Sequence, residues 1–285
     1  MIKIIKYFTE AFFIYSFFLI GKLIGLSLSR KAFSLIFRII GPIIRSNDLV
    51  INNLLNFSQK LTDKNKKEII SNMWSNYGMT FIEYIFLNNF KNGQSHINIE
   101  GEKILHQIST NNKPVIFISG HFANFELMSM EITKRNISLA TIYRPLNNIF
   151  LNPFMEFLRK KYICKNQIKK GFNGVRESIE YINKKSSIAL MIDQRVSEGA
   201  RINFFGKPAL TTTLPAQLSI KFNLNIIPVF IERDKNNKFK IEFQEAINPK
   251  EFKDKIELSK KLNRVLEKMI IRNPTQWIWT HNRWK

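Results

Sequence analysis

One cysteine, Cys164, and four histidines are all the thiol and imidazole side chains in a chain of 285 residues. A lone thiol forms no intramolecular disulfide, and without a CxxC pair or a Cys/His cluster there is no zinc or dithiol redox motif. HExxH is missing as well, so the sequence calls for no metal and no cofactor. Acidic residues are also scarce, with 22 Asp and Glu against 44 Lys and Arg, for a formal net charge of +22. Such a chain draws anionic partners: nucleic acid, anionic lipid or an acidic carrier protein. A Lys- and Asn-rich background gives the same total, but Arg159-Lys160-Lys161, Lys165 and Lys169-Lys170 cluster around an otherwise apolar stretch. Helix-turn-helix, zinc-finger and RNP-type aromatic motifs are absent, which leaves nucleic acid unsupported. There are no internal repeats and no low-complexity linkers. The length fits one large α/β domain or two smaller ones. We expect a separate N-terminal segment over residues 1–45, membrane-anchoring or interfacial, and one folded domain over 46–285.

Apolar residues make up 45% of the chain and charged ones 23%, and Phe is frequent at 25. That composition is globular. Residues 11–29 carry one charge, Lys22, over nearly the roughly 20 residues that a membrane-crossing helix needs. The segment can span a bilayer or lie in its interface, with Lys22 snorkelling and Phe12, Phe13, Tyr15, Phe17 and Phe18 crowding one half. Basic residues flank it on both sides, so charge does not orient it, and no small-x-small site marks a cleaved signal. A buried amphipathic helix gives the same pattern.

Apolar residues at spacings of three and four predict a helix over 62–90, capped by Thr62. From Pro114 onward, short apolar runs alternate with amphipathic stretches. Strands are expected at 115–119, 137–143, 188–192, 226–232 and 239–243. Helices are expected at 124–135, 152–162, 174–185, 209–222 and 255–272. The alternation predicts an α/β fold, a mixed, largely parallel sheet covered by helices on both faces, preceded by the membrane-associated helix.

The first such strand runs into Gly120, His121 and, five residues on, Glu126. Reactive groups gather beyond the carboxyl ends of strands in open α/β sheets. On one continuous helix, side chains five apart point about 140° from each other. His121 therefore belongs on the turn, with Glu126 in the first turn of the following helix. From there Glu126 can reach the imidazole's far nitrogen and stabilise the imidazolium that forms when the other nitrogen accepts a proton. A structurally hydrogen-bonded histidine would carry the same two residues. Cys164 has no base near it in sequence, and His281 is an alternative base.

Four blocks give these residues a context. Gly120-His-Phe-Ala-Asn-Phe-Glu126 resembles the GHxGNWE form of the HxxxxD/E motif in the late lipid A (lauroyl/myristoyl) acyltransferases, within the glycerolipid and lysophospholipid acyltransferase superfamily. Tyr143-Arg-Pro145 with Asn152-Pro153 resembles that family's YRP…NP segment. Asp193-Gln194 with Phe204-Phe-Gly-Lys-Pro-Ala209 resembles its DQ…FFGxPA segment, and Pro274 to Lys285 its closing PxQWxWxHxRWK. Ala123 stands where the family has glycine, Phe125 where it has tryptophan, and Arg195 where an acidic or polar residue is common.

The resemblance implies acyl transfer from an acyl carrier protein or acyl-coenzyme A thioester to a hydroxyl of a phosphorylated glycolipid at the cytoplasmic side of the bacterial inner membrane. His121 would act as general base and Glu126 would orient it. Arg144 and Arg159 are candidates for substrate phosphate or the reaction's oxyanion, and backbone N–H groups of the turn are candidates for the latter too. Asp193 and Gln194 are further candidates for binding substrate; Asp193, at the end of an expected strand, would help build the site floor or serve as an N-cap or turn residue. The terminal aromatics Trp277, Trp279 and Trp284 would pack on the core or form an interfacial belt. A lysophospholipid or another glycolipid is the rival acceptor. The rival of another class is a non-enzymatic basic protein that binds anionic membrane or nucleic acid, with steep salt dependence and no need of His121.

Overall fold

A computed structural model describes residues 2–285. In chain order the elements are α1 (Ile2–Ile44), α2 (Asn47–Phe57), α3 (Asp63–Glu83), α4 (Leu87–Asn92), β1 (Ile97–Glu100), α5 (Glu102–Asn111), β2 (Ile116–Ser119), α6 (Glu126–Lys134), β3 (Leu139–Tyr143), α7 (Asn152–Leu158), β4 (Asn166–Lys169), α8 (Phe172–Asn183), β5 (Ser187–Met191), β6 (Ala200–Phe204), β7 (Lys207–Thr211), α9 (Leu214–Phe222), β8 (Ile226–Arg233), β9 (Phe239–Phe243) and α10 (Lys255–Arg272). Seven strands form one sheet in the order β1-β9-β8-β2-β5-β3-β4, and β6 pairs with β7 as a separate hairpin. All neighbours in the large sheet are parallel except β8 and β9. The fold is the mixed, largely parallel α/β sheet that the alternating pattern predicts.

Strand β2 is apolar on both sides because it is covered on both sides. Ile116 and Ile118 join one core with Ala216 and Leu218 of α9 and Leu262 and Leu266 of α10. Val115 and Phe117 point the other way, into a core with Leu105 of α5 and Leu127 and Met130 of α6. Strands β1 and β4 lie at the sheet's two edges; in β1 Asn98 and Glu100 alternate with isoleucine, and in β4 Ile168 is the one apolar residue among Asn166, Gln167 and Lys169. So polar a pattern is not recognisable as a strand from sequence, and neither was expected.

The helix expected over 209–222 is too long. Ala209 to Thr211 belong to β7, paired with β6, and the helix begins at Leu214 with a proline in its first turn. The β-branched run Thr211 to Thr213 favours extended backbone, and Pro215 is accommodated where no N–H is needed. The helix expected over 62–90 is capped at Thr62, whose hydroxyl accepts from Asn65 N, and it gives way to a tight turn at Tyr84–Phe86 before α4. The helix expected over 152–162 loosens after Leu158 into a π-type turn, Arg159–Ile163.

Helix α1 is long and apolar enough to cross a bilayer. It is not one straight rod, however, because Gly25 leaves helical geometry at φ 81°, ψ 167°. Ser29 Oγ reaches back to Gly21 O at 2.8 Å and the rings of Phe17 and Phe33 meet at 5.9 Å, so the two halves fold against each other. The second half runs along α3, where Gly41 and Gly78 admit Trp74 and the Phe33 backbone at distances that no Cβ would allow. The first half is seated on the domain through Asn148 Nδ2 to Tyr7 O (2.8 Å) and Tyr15 OH to Phe150 O (2.8 Å). Lys22 stays exposed, with its Nζ 3.3 Å from Ile85 O and over the Phe86 ring. Phe8, Phe12, Phe13, Leu19, Ile20, Leu23 and Ile24 remain exposed on the outer side.

Candidate active site

Ser119 on β2 lies beside Met191 on β5, and Ile192 N bonds Ser119 O at 2.9 Å. Both chains then leave the sheet at the same end, so His121 and Asp193 meet two residues beyond it. His121 Nδ1 is 2.8 Å from Asp193 Oδ1, and the His121 backbone N–H donates to Oδ2 at 2.9 Å. Trp277 Nε1 donates to the same Oδ2 at 2.8 Å. Burial pushes the Asp193 carboxyl up, but the charge and hydrogen bonds of His121 and the Trp277 indole outweigh it and bring the pKa to about 2. Burial likewise pushes His121 down, yet the charge and hydrogen bond of Asp193, helped by the charge of Glu126, hold it above the ordinary histidine range.

His121 is on the turn and Glu126 is the first residue of α6, as the spacing argument requires. The expected bond between them is absent, and this corrects the sequence reading: Asp193, not Glu126, holds the imidazole. Glu126 is engaged elsewhere. Its Oε1 accepts from Tyr84 OH at 2.6 Å and from Arg159 Nε at 2.8 Å, with Arg159 Nη2 at 2.7 Å. Arg159 Nη2 also donates to Tyr84 OH at 3.2 Å, and the guanidinium lies over the Tyr84 and Tyr143 rings. Burial and the neighbouring Glu126 push the Tyr84 phenol up and keep it a donor. Burial lowers Arg159, but Glu126 and Tyr84 more than reverse that.

Arg159 is therefore spoken for at Nε and Nη2, which removes it as a bidentate phosphate ligand. Arg144 is exposed just past β3, and with burial it holds the Lys170 ammonium below its ordinary range. Gln194 is half-buried beside Asp193. The backbone N–H groups of the turn are also largely committed. His121 donates to Asp193, Phe122 to Gly120 O at 2.8 Å, and Ala123 to Gln276 O at 3.1 Å.

The remaining candidates separate clearly. Cys164 is buried, its thiol donates to Leu139 O at 3.1 Å, and burial pushes its pKa up to about 11, so it is no nucleophile. His281 accepts from Arg195 N at 3.3 Å through Nδ1, and burial with nearby cations lowers it to about 4. Trp277 and Trp279 are buried and Phe122 bridges Trp277, so the terminal aromatics are core and site support instead of an interfacial belt. Phe125 packs edge-on against His121 at 4.6 Å between ring centroids. Among the described residues no group of His, Cys, Asp and Glu is arranged to hold a metal.

Sequence reasoning missed Tyr84, Glu83 and Thr80, which line the turn from α3. Tyr84 was visible only as one apolar member of a helical stripe. Glu83 beside it is fully buried, and a carboxylate set among Ile82, Tyr84 and Phe86 was the available signal.

An imidazole held by a buried carboxylate at the carboxyl end of the central strands of an open sheet defines an α/β protein with its reactive groups where such folds carry their sites. The model of the bacterial lipid A biosynthesis acyltransferases matches residues 2–285, and the chain belongs to that family. It is an acyltransferase acting on lipid. No curated protein matches its sequence. Among solved structures, it is similar to the 1-acyl-sn-glycerophosphate (LPA) acyltransferase PlsC from Thermotoga maritima, at 16% identity and a TM-score of 0.40, over 89% of this chain and 100% of that one. A likeness this loose carries no argument about the site.

Proposed function

We propose that this protein transfers a fatty acyl group from an acyl thioester, on acyl carrier protein or coenzyme A, to a hydroxyl of a phosphorylated lipid A precursor in lipopolysaccharide biosynthesis. The observation that carries the reading is the tether of His121 Nδ1 on Asp193, which leaves Nε2 as the one ring nitrogen able to take a proton. Nε2 removes the acceptor's hydroxyl proton as its oxygen attacks the thioester carbonyl. The tetrahedral intermediate collapses, the C–S bond breaks as the C–O bond is retained, and the imidazolium returns its proton to the leaving thiolate. Asp193 fixes the productive tautomer and stabilises the imidazolium. Glu126 and Tyr84 hold Arg159 through Nε and Nη2, which leaves Nη1 as the nitrogen that would meet the developing oxyanion. Arg144 and Gln194 line the substrate side, where Arg144 is available to a phosphate.

Residues 1–45 serve as the lipid-facing part and 46–285 as the catalytic domain, on the cytoplasmic side of the bacterial inner membrane. Because the first half of α1 is fastened along the domain and apolar outward, it lies in the interface. Mass spectrometry of the host's lipid A with and without the gene tests the substrate. The loss of one acyl chain is expected, and an unchanged lipid A contradicts the assignment.

A further inference from the structure

The turn from His121 to Phe125 is held in an unfavourable shape. Ala123 sits at φ 42°, a left-handed backbone that costs a residue with a Cβ, so neighbours must enforce it. Three contacts do so. Gln276 O accepts from Ala123 N at 3.1 Å, Thr80 Oγ1 donates to Ala123 O at 3.0 Å, and Asn124 Nδ2 donates to Glu83 Oε2 at 2.9 Å.

These contacts converge on one ionic centre. Arg233 on β8 donates to both oxygens of Glu83, to Asn76 Oδ1 at 3.1 Å and to Thr80 Oγ1 at 3.3 Å. Its own backbone N–H and C=O are each bonded by the Gln276 side chain at 2.7 Å. The last arm comes from outside the domain's core: Arg30 Nε, on the second half of α1, donates to Glu83 Oε1 at 2.6 Å. Glu83 is fully buried and Arg30 and Arg233 nearly so. A charged cluster so deeply desolvated contributes little net stability, which points to a specifying role instead.

We propose that Thr80 and Glu83 are positioning residues for the acyl transfer at His121, and that Arg30 makes the register of the catalytic turn depend on the seating of the lipid-facing helix pair. The inference rests on the role given to His121 above. It places the link between membrane contact and turnover at one carboxylate. When the second half of α1 shifts, Glu83 loses a donor, Asn124 and Thr80 follow, and His121 and Glu126 leave their productive spacing.

Glu83→Gln leaves two buried guanidiniums without a counter-charge and is liable not to fold, so the test uses milder changes in the full-length protein. Thr80→Val and Arg30→Met are compared with Thr80→Ser and Arg30→Lys. The readouts are kcat and KM with a fatty acyl–acyl carrier protein thioester and a lipid A precursor in mixed micelles, and amide hydrogen exchange of the peptide spanning 120–127. Displacement of a reacting group by about 1 Å costs on the order of a hundredfold, so Thr80→Val and Arg30→Met should lose roughly ten- to a hundredfold in kcat. KM should stay within about twofold and the turn should exchange faster, while serine and lysine restore both. Folded Thr80→Val and Arg30→Met proteins with wild-type kcat and wild-type exchange overturn the proposal. If the wild type itself shows no transfer, the functional reading fails, and the exchange data still decide whether the network holds the turn.

Discussion

Asp193 divides its two oxygens among an imidazole, a backbone amide and an indole, and His121 has one nitrogen left for chemistry. Replacing that carboxylate with an amide of the same shape should lose the tautomer and the charge while keeping the packing. Asp193→Asn should therefore lower kcat by roughly a hundred- to ten-thousandfold. Glu126→Gln keeps an oxygen for Tyr84 and Arg159 and should cost less, within about tenfold to a hundredfold, as steady-state rates on one lipid acceptor will tell. The pH profile follows from the same pair. His121 must be neutral to act as base and its pKa is raised, so activity should climb with pH through an apparent value above the ordinary 6.5 of histidine, and Asp193→Asn should move that limb to lower pH. For stability the signs differ. The depressed Asp193 contributes above its unfolded value of 3.8, and that contribution is lost as pH falls towards 2. The raised His121 contributes below its unfolded 6.5 and is lost as pH rises through its folded value, so urea midpoints should decline at both ends. His121 and Glu126 were legible from one motif, because the strand and the turn lie in the same stretch of chain. Their partnership was not, since the carboxylate that reaches the ring lies 72 residues on and is placed by the register of β2 against β5.

At the scale of elements, the decisive feature is the break at Gly25, which turns one apolar run into two packed helices. Composition alone marks an apolar run over 11–29, which straddles the break, and does not reveal the fold-back, which depends on one glycine at positive φ. Phe13 and Ile20 lie seven residues apart on the outer face, 54% and 52% exposed. Burying such a side chain contributes about 1.5–3 kcal/mol, so Phe13→Asp with Ile20→Asp should weaken vesicle binding by at least about a hundredfold. The melting temperature should hold, because neither residue is buried in the domain. Flotation with lipid vesicles at high salt measures the first and calorimetry the second; undiminished flotation would mean that this face does not meet lipid. Deleting residues 1–30 would not isolate lipid contact, since it also removes Arg30 from the buried cluster and uncovers Phe81 and Ile82. The same limit applies to β1 and β4: edge strands rich in polar residues are defined by their neighbours in the sheet, which a local pattern does not contain.

Across the whole molecule, the proposed function gives the net charge of +22, the outward apolar helix and the His121–Asp193 pair one purpose, in which anionic substrates would be drawn to a site carried against a lipid surface. The central sheet and both of its covered faces were readable from the alternation of runs, because a buried parallel strand has no choice but to be apolar on both sides. The clamp around the catalytic turn was hidden, because it is made by polar side chains drawn from α1, α3, β8 and the C-terminal segment. The most direct measurement is the turnover of purified, full-length His121→Ala with a fatty acyl–acyl carrier protein thioester and a lipid A precursor. The account predicts no detectable transfer by a protein that still binds vesicles and melts like the wild type; transfer within a few-fold of the wild-type rate would contradict it.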